Sequence, residues 1–84
     1  MEKREEMLVI TAEECGELIQ ACSKVIRSKG KTEYLKNLQD EVGDVVCMIK
    51  LLIESDLVTE EQIDNRVREK KQKLKKWSSL FNED

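Results

Sequence analysis

Four carboxylates fall in two pairs of identical spacing, Glu14 with Glu17 and Glu41 with Asp44, and twenty-three residues separate the pairs. On a helix, residues three apart lie on one face a turn along, so each pair would set two like charges side by side. Such a pair costs a few tenths of a kcal/mol when exposed, roughly 0.2–0.5, and more beside an apolar seam where screening is weak. A cation removes the cost. The 84-residue chain has no histidine and no Cys-x-x-Cys, which argues against a zinc site of the usual nitrogen and sulfur ligands and against a di-iron bundle built on Glu-x-x-His. Oxygen-only ligation selects a hard ion, Mg²⁺ or in its place Mn²⁺.

The two pairs also share their surroundings. Glu13-Glu14-Cys15-Gly16-Glu17-Leu18-Ile19 lies over Asp40-Glu41-Val42-Gly43-Asp44-Val45-Val46 position for position: acid, acid, apolar, glycine, acid, apolar, apolar. Glycine inside a helix costs about 1 kcal/mol relative to alanine. Its recurrence inside both pairs suggests a close approach of two backbones, or of a ligand. A single E-x-x-E is an ordinary solvated face; the joint pattern is far more specific.

These acids need helices to hold them, and the composition supplies helices. There is no proline, there are three glycines, and 39% of residues are charged, a balance that favours an all-α fold. In the first helix, Glu5 to about Arg27, the apolar positions Leu8, Ala12, Cys15, Leu18, Ile19, Cys22, Val25 and Ile26 recur at spacings of three and four. Ser28 to Thr32 breaks the pattern, with Gly30 suited to a left-handed closure and Thr32 to an N-cap. So short a loop makes the second helix, roughly Glu33 to Glu54, antiparallel to the first. Its second half, Val45 to Ile53, is apolar nearly all round and needs partners on several sides, which implies a homodimer or higher oligomer. Thr59-Glu60-Glu61-Gln62 has the form of a capping box and opens a third helix. That helix carries Ile63, Val67, Leu74, Trp77 and Phe81 on one seam, interrupted by Lys70. Lysine in an apolar seam is costly to bury unless it meets an anion, so Lys70, with Lys73 a turn on, is expected to point into the bundle. Lys24, seven residues beyond Glu17, lies on the face of the acids and is a third lysine placed to meet an anion.

At this point the residues resemble a known family. Glu13-Glu14-x-x-Glu17 followed by Glu41-x-x-Asp44 is similar to the signature of MazG-like nucleoside triphosphate pyrophosphohydrolases, and Glu17 to Lys24, Asp40 to Val46 and Lys70 to Trp77 resemble small phage and bacterial members. The resemblance implies an all-α dimer or tetramer with a four-helix-type core that cleaves a (d)NTP between the α and β phosphates, releasing a nucleoside monophosphate and pyrophosphate. It implies Glu14, Glu17, Glu41 and Asp44 as Mg²⁺ ligands and Glu13 as a residue that orients water. It is closer at the acids than at the basic groups, since some members carry a Lys, Asn and Arg set where this third helix has lysines. Phosphoribosyl-ATP pyrophosphohydrolases share the acidic pattern, but their Tyr-His after the second acidic motif is Val45-Val46-Cys47-Met48 here. An alternative from another class is a non-catalytic oligomerisation or regulatory module, whose acids and lysines only pair between helices.

The bulk numbers set the frame. At this length residues 1–84 form a single domain whose core is marginal alone. A net charge of −3 excludes nucleic-acid or membrane binding through overall charge. Cys15, Cys22 and Cys47 lie in apolar-periodic segments and are expected as reduced, buried thiols. With neither a signal-type apolar run nor a membrane-length one, the expected location is cytoplasmic.

Overall fold

A computed structural model describes residues 1–82. It contains three helices, α1 (Lys3–Ser28), α2 (Thr32–Glu54) and α3 (Glu60–Trp77), joined by short turns. α1 begins on Glu2, whose carboxylate accepts from the Arg4 backbone N–H, and Glu5 and Glu6 add negative charge at the positive end of the helix dipole. It closes where Lys29 (φ 59°) and then Gly30 (φ 80°) turn left-handed, their N–H groups donating to the carbonyls of Ile26 and Val25. The left-handed closure expected at Gly30 is thus shared with Lys29. Thr32 is not the N-cap of α2: Lys31 holds that position without a side-chain hydrogen bond, and Thr32 is the first helical residue. Thr59 does cap α3, its hydroxyl accepting from the Gln62 N–H at 3.3 Å.

α1 and α2 pack as an antiparallel hairpin, and theirs is the extensive helix–helix contact among the described residues. The Arg4 guanidinium donates to the Ser55 carbonyl at 3.2 Å and ties the start of α1 to the end of α2. The covered face of α1 runs Met7, Thr11, Glu14, Leu18, Ala21, Val25, Ser28; that of α2 runs Tyr34, Leu38, Glu41, Val45, Met48, Leu52. Both are alternating three- and four-residue steps, the stripe of helices crossing at a shallow angle. Among the described residues, Ala21 and Met48 are the buried hydrophobic residues.

A second apolar stripe of α1 (Leu8, Cys15, Ile19, Cys22, Ile26) faces outward, with Ile19 70% and Ile26 76% exposed, and on α2 Leu35, Val42, Val46 and Leu51 are uncovered. The sequence periodicity merges these two stripes into one, because both repeat with the same helical step. The expectation of buried cysteines fails for that reason: Cys15 and Cys22 lie on the outward stripe and Cys47 beside Val46, and all three are exposed free thiols. α3 meets the hairpin only marginally, so in the single chain Trp77 is 78% exposed and Lys70 and Lys73 are exposed. No helix among the described residues is long and apolar enough to cross a membrane.

Candidate metal centre

Glu14 and Glu41 lie on the covered seams of the hairpin, Glu14 between Thr11 and Leu18, Glu41 between Leu38 and Val45. The antiparallel packing brings these two mid-helix positions together. One carboxylate oxygen from each of Glu14, Glu41 and Asp44 lies within 4.8 Å of the other two. Glu41 and Asp44, three apart on α2, supply one side of the cluster, and Glu14 of α1 supplies the other. Glu17 stands outside this tight triad and is exposed, yet near enough that its charge acts on both Glu14 and Glu41. Glu13 is exposed on the rim.

The electrostatics follow from crowding of like charge in a partly dry groove. Burial raises the Glu14 carboxyl above its ordinary value of 4.5, and the charges of Asp44, Glu17 and Glu13 push it the same way. Burial likewise raises Glu41, followed by the charges of Glu17, Asp44, Glu14 and Asp40. No cation of the chain relieves them, for among the described residues the one ion pair is Arg66–Glu69, on the exposed face of α3. Oε2 of Glu41 is buried with no hydrogen-bond partner. A buried carboxylate oxygen left unpaired among like charges is costly unless a proton or a cation meets it. Three convergent carboxylates with one orphaned oxygen fit a divalent, oxygen-loving ion.

The expected role of the glycines is not seen within one chain. A Cβ added at Gly16 or Gly43 would meet no atom within 4 Å, so neither glycine permits a backbone approach in the hairpin itself. Of the basic residues, Lys24 lines a cleft at the loop end of the hairpin with Arg27, Ser28, Lys31 and Tyr34. Arg27 and Lys31 escape a reading that follows the acidic face alone, although Lys24, Arg27 and Lys31 at steps of three and four were the available signal. Lys70 and Lys73 on α3 are not brought to the acids by this chain alone.

No curated protein and no solved structure matches this chain. The sequence model of the MazG nucleotide pyrophosphohydrolase domain matches residues 2–77, a span that includes all three helices and every acid of the cluster. An all-α three-helix chain with a metal-competent Glu14–Glu41–Asp44 cluster at its hairpin seam, matched over nearly its whole length, belongs to the MazG nucleotide pyrophosphohydrolase domain family.

Proposed function

We propose that residues 1–84 form one catalytic domain, a Mg²⁺-dependent pyrophosphohydrolase that cuts a (d)NTP between the α and β phosphates to give a (d)NMP and pyrophosphate. The observation that carries this reading is the triad of Glu14, Glu41 and Asp44 within 4.8 Å, holding an orphaned Glu41 oxygen, in a chain of this family. Glu14, Glu41 and Asp44 hold the ion, Glu17 completes the ligand set from the same groove, and Mn²⁺ can substitute. A bound Mg²⁺ supplies charge neutralisation on phosphate oxygens and a more acidic water. Glu13, on the exposed rim, accepts a hydrogen bond from the attacking water and orients it. Lys24 approaches the phosphates along the α1 face, and Lys70 and Lys73 do so from α3.

The lysines of α3 require a second copy of the chain. Its accessible surface is 7095 Å², whereas a compact monomer of 9.8 kDa exposes about 5,200 Å². The excess, about 1,900 Å², is of the order an obligate interface buries. The outward stripes of α1 and α2 and the uncovered seam of α3 provide that surface, and a homodimer or homotetramer would cover them and bring α3 against a hairpin.

A pyrophosphate-release assay over a panel of NTPs and dNTPs with Mg²⁺ tests the reading. Turnover of at least one nucleotide, lost in Glu41→Gln, is expected; no turnover of any of them sinks it. The same uncovered stripes also suit a non-catalytic oligomerisation module, which predicts no Mg²⁺-dependent rise in melting temperature.

A further inference from the structure

The loop end of the hairpin holds a cleft of about 480 Å³ lined by Lys24, Arg27, Ser28, Lys31 and Tyr34. Three cations and two hydroxyl groups converge there, and no carboxylate lines it. None of the three cations is paired, the Arg66–Glu69 bridge being the one ion pair among the described residues. Unpaired like charges gathered in one concave surface repel one another and are relieved by an anion.

The two helix ends at this cleft differ in how they are satisfied. Two of the last four carbonyls of α1 are already used: Val25 accepts from Gly30 N–H and the Ser28 hydroxyl, and Ile26 accepts from Lys29 N–H. The 23-residue α2 starts at the same place with no side-chain cap; Tyr34 N–H turns back to the Lys31 carbonyl, which leaves the N–H groups of Thr32 and Glu33 and the positive dipole end open beside the three cations.

The cleft is not the triad under another description. Lys24 is seven residues past Glu17 and Tyr34 seven before Glu41, which sets the cleft about 10 Å along the hairpin from the acids. It shares their face, with Lys24 at its edge nearest the acids and Arg27 and Lys31 about a further turn along the hairpin.

We propose that this cleft is a second anion site, which takes a phosphate-bearing small molecule through Lys24, Arg27 and Lys31 and the open first turn of α2, with Tyr34 as its wall. The shared chemistry is a phosphate group, carried either on the far end of the nucleotide held at the triad or on a separate molecule. The site does not depend on the proposed reaction, because it needs neither metal nor turnover.

The test is a titration of the metal-free, full-length chain with inorganic pyrophosphate at near-physiological salt, about 0.15 M, followed by amide NMR. Saturable movement of the Thr32 and Glu33 amide signals is expected, with affinity at least tenfold weaker in Arg27→Gln/Lys31→Gln and unchanged in Lys29→Gln, whose lysine is outside the cleft. Retained helical circular dichroism shows that the double variant folds, and Lys31→Gln alone serves if it does not. No saturable movement, or equal weakening in Lys29→Gln, overturns the site. With Mg²⁺ and a non-hydrolysable triphosphate added, competition with pyrophosphate assigns the cleft to the far end of the same nucleotide; simultaneous binding assigns it to a separate phosphate compound. Pyrophosphate binding without nucleotide turnover would defeat only the enzyme reading, and turnover without cleft binding only this one.

Discussion

Replacing Gly16 by alanine is expected to stabilise the protein, although Gly16 sits between two of the carboxylates proposed to bind metal. Gly16 lies well inside α1, and an added Cβ there meets nothing within 4 Å. No steric cost therefore offsets the gain in helix propensity and the loss of freedom in the unfolded chain, about 1 kcal/mol. For a domain of this size that gain raises the melting temperature by roughly 4–8 °C. Gly43, inside α2 with equally open space, is expected to behave alike. Far-UV circular dichroism during heating measures the shift, run at several protein concentrations so that association is not mistaken for intrinsic stability. A fall in melting temperature in either variant refutes the reasoning, because it would mean that a second copy or a ligand approaches the glycine more closely than the chain itself does.

Three further outcomes follow from the same geometry. Glu41→Gln is expected to raise the stability of the metal-free protein, by removing a charge whose buried oxygen has no partner, and to abolish the rise in melting temperature on adding Mg²⁺, read by the same thermal scans. The raised carboxyls of Glu14 and Glu41 bind protons more tightly folded than unfolded, so their contribution favours the metal-free fold below pH 4.5 and is lost as pH rises through their elevated values. Stabilisation by Mg²⁺ should grow over that same window, because the ligands must ionise; parallel rather than opposite trends in paired pH titrations would contradict the assignment. Thr59→Ala removes the hydroxyl that accepts from Gln62 N–H, a loss of about 1 kcal/mol. With α3 scarcely packed on the hairpin, amide hydrogen exchange should speed up in α3 while α1 and α2 keep their protection.

Helix number, boundaries within a few residues and the cap at Thr59 were legible in the sequence, because capping chemistry and three-to-four periodicity are local properties of the chain. The pairing of acids within each helix was legible for the same reason. Periodicity says which residues share a face; it does not say which face meets a partner. Leu18 with Val25 and Ile19 with Ile26 obey the same step, and only packing against α2 decided that the first pair is covered and the second left out. That choice also exposed the three cysteines and placed Glu14 and Glu41 in the seam itself. Spacing alone made four equivalent carboxylates. The crossing of α1 and α2 divided them, drawing Glu14, Glu41 and Asp44 together and leaving Glu17 just outside, since distance across a helix interface is set by how the helices pack and not by how far apart residues lie in the chain.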